Sequence, residues 1–198
     1  MNQGHVCIGA FDVENKTNIR LLTATGDQQP ETCELDVGRV VRASYIKVTT
    51  RVVLPHTEDV KLKSYTEVNQ VQPIKDDFEK SCPVVHGPIT NTFAGHLSRE
   101  GSSSLSIRKD NISDHSVCFW KADQTIHLDA AYRERFGKAK YRYGPRYDQI
   151  GLPFVGMQDP IVSIPAGTVV RLSLARWWKP NDAAYDERCQ LQLSGWYL

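Results

Sequence analysis

Short runs of β-branched or alternating residues recur along most of the chain, and turn-rich pieces separate them. In the first half these runs cover residues 6–11, 18–25, 39–48 and 51–54. In the second half they cover residues 104–108, 117–122, 124–130, 138–143, 147–155, 168–174 and 189–197. No helical period of convincing length lies between them. Regular short strands without intervening helices favour an all-β sandwich or barrel.

Residues 64–103 differ from both flanks, because Pro, Gly and Ser are scattered through them and no period is sustained. One helical turn fits within 75–80. A structureless stretch of this length is unusual inside one compact domain, so we interpret it as a boundary. The sequence therefore predicts two small β-barrels, 1–63 and 104–198, joined by a long irregular connection. Strand spacing alone does not separate OB, SH3-like and sandwich topologies.

The chain has 198 residues, 40% of them hydrophobic, which is enough for one generous domain or two small ones. Its net charge is only +1, but the charge is unevenly distributed. Residues 131–147 contain six Lys or Arg and one acid, whereas 1–130 and 148–198 are each slightly acidic. A local positive field attracts an anionic partner more effectively than the average charge suggests.

The basic segment 132–147 reads YRERFGKAKYRYGPRY. On a strand, Lys138, Lys140 and Arg142 fall on one face, while Tyr141 and Tyr143 fall on the other. Other cations of the segment are Arg133, Arg135 and Arg146. The pattern predicts a cationic face for a phosphate backbone, with tyrosines that either stack on bases or fill the core. The alternative is an ordinary exposed strand, since lysine on an edge strand also discourages aggregation.

A second candidate is the stretch 175–188, ARWWKPNDAAYDER, between the last two predicted strands. It contains Arg176, Trp177, Trp178, Lys179 and Tyr185. Adjacent residues of a strand point to opposite faces, so one tryptophan is expected in the core and the other in solvent. An exposed tryptophan beside cations suits base stacking. The alternative is that both tryptophans cap a barrel end.

A polar cluster of His56, Glu58 and Asp59 follows a strand end, where functional groups often lie. One histidine and two acids are a weak signature for a metal or for catalysis. Cys82 with His86 and His96 is a still weaker zinc signature, since a second tight ligand pair is missing. The chain has no recognisable catalytic motif. We therefore expect no enzyme activity, no cofactor and no metal.

Five cysteines are widely spaced and form no CxxC pair, which is typical of reduced thiols inside a cell. No apolar run is long enough to cross a membrane, and the first residues do not resemble a signal peptide. These features predict a cytoplasmic protein with no membrane association.

Taken in order, several stretches resemble the dual OB-containing domain (DuOB) family of bacterial and phage conflict systems. In the first half the similar stretches are GHVCIGAFD (4–12), NIRLLT (18–23), LDVGRVVRASYIKV (35–48) and PHTEDV (55–60). In the second half they are SLSIRKDNI (104–112), KAKYRYGPRYDQIGLPFVGMQDP (138–160), VVRLSLARWW (169–178) and RCQLQLSGWY (188–197). In PHTEDV, Asp59 stands where the family has Asn. The common order of these stretches is stronger evidence than any one of them.

The resemblance implies two tandem OB-like barrels that recognise nucleic acid of invading elements. We thus predict a non-catalytic recognition subunit of a prokaryotic or phage defence system that binds DNA or RNA, with single strands favoured. The alternative is a protein–protein adaptor whose basic strand meets an acidic partner. The family begins with an apolar strand before its Gly-Cys element, whereas only three residues precede Gly4. The first barrel is therefore expected to lack a strand, or to receive one from upstream or from a partner.

Overall fold

A computed structural model describes residues 5–35, 37–68, 79–101, 103–179 and 186–198. It divides the chain into two compact units, residues 1–83 and residues 84–198. In the part of the chain that the structure describes, no helix is long and apolar enough to span a bilayer.

The unit boundaries differ from the predicted ones. A strand of the first unit continues past residue 63 to Glu67, and residues 84–100 supply two short strands to the second unit. Those two strands have only two and three residues. Such short strands carry too little alternation to be recognised in a sequence rich in Pro, Gly and Ser.

The described residues of the first unit form six strands. They are β1 (His5–Val6), β2 (Ile8–Asp12), β3 (Thr17–Leu22), β4 (Gln29–Pro30), β5 (Val41–Lys47) and β6 (Asp59–Glu67). Four of them form one sheet in the order β2-β3-β6-β5, in which only the β3–β6 pair is parallel. β1 and β4 form a separate antiparallel pair.

The core of the first unit is small because it is filled mainly from β3 and β6. The two strands alternate between buried and accessible residues, so each presents one apolar face. The buried apolar residues are Ile19, Leu21, Leu35, Val60 and Leu62.

Within residues 84–101, 103–179 and 186–198, the second unit contains ten strands and one α-helix. The strands are β7 (Val84–Val85), β8 (Ser98–Glu100), β9 (Ser104–Arg108), β10 (Val117–Lys121), β11 (Ile126–Leu128), β12 (Lys140–Tyr143), β13 (Ile150–Pro153), β14 (Ser163–Ile164), β15 (Val169–Leu174) and β16 (Arg188–Tyr197). The stretch Ile89–Gly95 contains two short 3-10 pieces separated by a kink at residues 92–94, and helix α1 covers Ala130–Phe136.

Five strand positions of the second unit close into a barrel. The stretch 117–128 pairs antiparallel with β15 through β10 and with β12 through β11. β12 continues antiparallel to β13, and Phe154, just after β13, forms a parallel bridge with Leu193 of β16. β16 then returns antiparallel to β15. This order is that of a five-stranded Greek-key OB barrel.

The barrel encloses the larger hydrophobic core of the molecule. Its fully buried side chains include Trp120, Tyr141, Leu152, Leu172 and Leu193, one from each of the five strand positions. Because every wall of the barrel contributes, the interior packs without an open edge. The prediction of an all-β chain with tandem OB-like units is confirmed.

Candidate nucleic-acid interface

Helix α1 lies in the loop 129–139 between β11 and β12, which we call the helix loop. Asp129 caps the helix by accepting a hydrogen bond from the backbone N–H of Tyr132 at 3.1 Å. Gly137 ends it with a positive φ of 64°, a conformation that favours glycine. The sequence pattern predicts no helix between the strands 124–130 and 138–143, so helix α1 is a correction.

The helix brings aromatic and cationic side chains together. Tyr132 and Phe136 are four residues apart, and their ring centroids lie 4.6 Å from each other. The Arg135 guanidinium lies 5.0 Å from the Phe136 ring, and Lys140 Nζ lies 5.0 Å from the Tyr132 ring. Phe136 remains 51% exposed. An exposed ring flanked by cations is suited to stacking on a base beside a phosphate.

Strand β12 has the two faces that its alternation predicts. Tyr141 and Tyr143 point into the barrel and are buried. The Tyr141 hydroxyl donates to the backbone O of Ile161 at 3.0 Å, and the Tyr143 hydroxyl donates to Asp123 at 2.9 Å. Burial, together with the Asp123 carboxylate, raises the pKa of Tyr143 to about 12. Neither tyrosine is accessible to a base, so the stacking role that we considered for them is wrong.

The outer face of β12 does not present the row of three solvent-exposed cations that the sequence predicts. Lys138 lies before the strand, and Lys140 is half-buried with its aliphatic part against Gly151. The Arg142 guanidinium contacts Asp129 Oδ2 through Nε at 2.8 Å and Nη2 at 2.7 Å. Because Asp129 also caps α1, Arg142 helps to position the helix loop. Arg142 is therefore not the open phosphate ligand that the sequence predicts.

The turn between β12 and β13 contributes one cation and one exposed ring. Gly144 has a φ of 95°, and a Cβ there would lie 3.0 Å from the backbone O of Asp148, so the turn requires glycine. Arg146 is exposed, and Tyr147 is 92% exposed. Asp148 pairs with Arg99 at 2.5 Å. Tyr147 is a stacking candidate outside the set of predicted site residues.

Residues 175–179 follow β15, and we call them the tryptophan loop. Trp177 packs against the barrel core, and Lys109 Nζ lies 5.8 Å from its ring. Trp178 is 56% exposed and exchanges two backbone hydrogen bonds with Arg188, at 3.0 and 2.9 Å. Arg176 and Lys179 are exposed. One tryptophan is thus in the core and one in solvent; Tyr185 lies outside the described residues.

The cluster of His56, Glu58 and Asp59 does not form an accessible site. His56 and Glu58 are buried, and Asp59 forms an ion pair with Arg20 on the neighbouring strand β3. Burial also raises the pKa of Cys82 to about 11, which disfavours a metal-binding thiolate. Among the residues that the structure describes, no three His, Cys, Asp or Glu side chains are grouped to hold a metal ion.

The remaining cations of the basic segment are accessible. Four exposed side chains have no ion pair within the described ranges, namely Arg133, Arg135, Lys138 and Arg146. Three of them lie in the helix loop. Three sequence signals indicate helix α1. They are the cap residue Asp129, the terminating Gly137 and the four-residue spacing of Tyr132 and Phe136.

A closed barrel with this strand order defines an OB-type domain. Its first connection, the helix loop, and its fourth, the tryptophan loop, both have cations and exposed rings. OB domains bind oligonucleotides across strands 2 and 3 and through the loops 1–2 and 4–5. In the second unit these parts are β12, β13, the helix loop and the tryptophan loop.

The chain belongs to the dual OB-containing domain family, whose model matches residues 1–196. This confirms the resemblance that the sequence indicated. Membership of a family of OB-containing domains points to nucleic-acid or oligonucleotide binding in general. Comparison with curated proteins and with solved structures found no match.

Proposed function

We propose that the second unit binds single-stranded nucleic acid, without catalysis, through the helix loop, the turn between β12 and β13 and the tryptophan loop. The observation that carries the proposal is the helix loop itself. That loop has three exposed cations and an aromatic pair whose Phe136 ring is exposed, and OB barrels hold oligonucleotides through this loop. In this role Arg133, Arg135, Lys138 and Arg146 contact phosphates, while Phe136, Tyr147 and Trp178 stack on bases.

Single strands are favoured over duplexes by the exposed rings. Phe136, Tyr147 and Trp178 are all more than half exposed. Stacking on such rings requires unpaired bases, and each stacked base contributes about 1–3 kcal/mol. A duplex offers only its phosphates to the same surface.

The experiment is fluorescence anisotropy of labelled oligo-dT, oligo-rU and a duplex of equal length, titrated with the full chain over a range of salt concentrations. We expect both single strands to bind more tightly than the duplex. The logarithm of the association constant should fall with the logarithm of salt concentration, by about 0.7 per phosphate contact. Absence of binding at low salt, or a salt-independent affinity, would contradict the proposal.

The proposed stacking of Phe136 on a base predicts the effect of one substitution. Phe136→Ala removes the outermost ring of the helix loop and should weaken binding of oligo-dT by about 1–3 kcal/mol, without changing the salt slope. Tyr132→Phe is the matched control, since it keeps both rings and removes only a hydroxyl. An unchanged affinity for Phe136→Ala would exclude base stacking at this loop.

The assignment to a defence system and the adaptor alternative rest on the family resemblance and stay predictions. A purified chain that retains a protein neighbour, but shows no salt-dependent affinity for any oligonucleotide, would favour the adaptor role.

A further inference from the structure

The sheet of the first unit ends on two strands that run in the same direction. β2 is antiparallel to β3, β3 is parallel to β6, and β6 is antiparallel to β5, so β2 and β5 are parallel in direction. Within residues 5–35 and 37–68, no strand pairs with the outer edge of either. One strand running in the opposite direction can therefore pair antiparallel with both edges at once.

The second unit shows what fills the same position in a complete barrel. Its strands β12, β13, β16 and β15 follow each other with the same directions as β2, β3, β6 and β5. Between β12 and β15 lies the stretch 117–128, which pairs antiparallel with both. The described part of the first unit has four of these five positions, and the missing one is the equivalent of 117–128.

The residues of the edge strands β2 and β5 are incompletely buried, as expected where a neighbouring strand is missing. Every residue of β2 is only half-buried, including Ile8 and Ala10, which pack towards the core. On β5 the inward residues Val41, Ala43 and Tyr45 are also half-buried. By contrast, the inward residues of the matching strands β12 and β15 are buried. Among the described residues of the first unit, no strand therefore covers the core beside the outer edges of β2 and β5, and we call this position the gap.

The gap also has a charge pattern. On the outward face of β5, Arg42 is exposed, and Lys47 is exposed at the end of the strand. Neither side chain forms an ion pair in the part of the first unit that the structure describes. An acidic side chain placed opposite Arg42 on a neighbouring strand would gain a cross-strand pair.

We propose that the first unit accepts an extended segment of a protein partner as its missing strand, antiparallel to both β2 and β5. The segment has apolar side chains at alternate positions, which enter the barrel beside Ala10 and Ala43, and an acidic side chain outside, opposite Arg42. Main-chain hydrogen bonds to the two edges supply affinity, and the alternating side chains supply specificity. This inference is independent of nucleic-acid binding by the second unit.

The test is a tethered donor strand. A donor of about seven residues, alternating valine and threonine with one outward glutamate, is fused before Met1 of the full chain through a flexible linker of about ten residues. A control fusion has the same composition except for two prolines in the donor, which remove ladder hydrogen bonds. Hydrogen exchange of the amides of β2 and β5 is measured in both fusions.

We expect the donor to slow exchange of those amides at least about tenfold relative to the proline control, and to raise the Tm of the first unit. Arg42→Glu should reduce the protection, and a lysine in place of the donor glutamate should restore it. Equal exchange in the two fusions would overturn the proposal. Concentration-dependent protection of β2 and β5 in the unfused protein would also overturn it, because a second copy of the chain would then occupy the gap.

Discussion

Replacing Arg133, Arg135 and Lys138 together by glutamate is expected to weaken binding of a single-stranded oligonucleotide about 100-fold at 0.1 M salt. Each phosphate contact on a single strand contributes about 0.7 to the slope of log affinity against log salt, hence about 0.7 decade at that salt concentration. Three lost contacts correspond to roughly two decades. The slope itself should fall by about two, and repulsion by the new carboxylates can only add to the loss.

The matched control reverses three exposed cations of the first unit, Lys47, Arg51 and Lys63. The change in net charge is the same, so any effect of overall charge appears in both variants. The control should retain its affinity within about threefold and keep the salt slope. Equal losses in the two variants would show that a diffuse field, and not the helix loop, holds the nucleic acid.

Reversal of Lys140 and Arg142 is a separate case, although the sequence pattern alone would select these residues first. Arg142 already contacts Asp129, and Lys140 lies over Tyr132. Removing either cation disturbs the position of the helix loop as well as the charge. Weaker binding in such a variant therefore does not identify a phosphate ligand, which is why the helix loop is the better test.

Alternation made the strands of both units predictable, because a strand with one face in the core repeats every two residues. The pattern also separated the two faces of β12 correctly. It could not decide which face enters the barrel, since a tyrosine or the stem of a lysine can cover apolar surface equally well. The tertiary structure decides this: the Tyr143 hydroxyl meets Asp123, which is distant in sequence.

Helix α1 was missed for a different reason. It has seven residues, about two turns, and a period of 3.6 is hard to detect over so short a length. The cap signals at its two ends were present in the sequence. Taken with the spacing of Tyr132 and Phe136, they would have placed an aromatic pair on one side of a helix.

The ion pair between Arg142 and Asp129 could not be predicted locally, because it joins residues 13 positions apart across a loop. The same holds for burial of His56 and Glu58. The sequence pattern of a polar cluster at a strand end is the same whether the cluster is exposed to solvent or buried by the rest of the unit. Charge counting identifies the basic segment, but only the fold distinguishes its exposed cations from those held by carboxylates.

The second large effect is expected for Glu100, a buried carboxylate shared by three strands of the second unit. Its Oε1 accepts hydrogen bonds from Arg108 Nε at 2.6 Å and from Ser106 at 3.1 Å. Its Oε2 accepts a hydrogen bond from Arg188 Nη1 at 2.7 Å. The Glu100 side chain is 7% exposed and the Arg188 side chain is 11% exposed, so this ion pair is nearly buried. Glu100→Ala removes the carboxylate from two guanidinium groups and should cost about 3–5 kcal/mol of unfolding free energy.

The measurement is denaturant unfolding followed by tryptophan fluorescence, because all four tryptophans lie in the second unit. Glu187→Ala is the matched control. Its ion pair with Lys109 spans 2.5 Å but is partly exposed, so its loss should change stability by less than about 1 kcal/mol.

The pH dependence separates the charge of Glu100 from its packing. The Arg108 hydrogen bond, outweighing burial, lowers the pKa of Glu100 below its ordinary value. A carboxyl with a lowered native pKa contributes stability above its unfolded pKa and loses it as pH falls through the native value. The stability difference between wild type and Glu100→Ala should therefore be largest near neutral pH and shrink as acid protonates the carboxylate. A difference that stays constant from neutral pH into acid would assign the loss to packing alone, and Glu100 would then be a space-filling residue and not the electrostatic link between β8, β9 and β16.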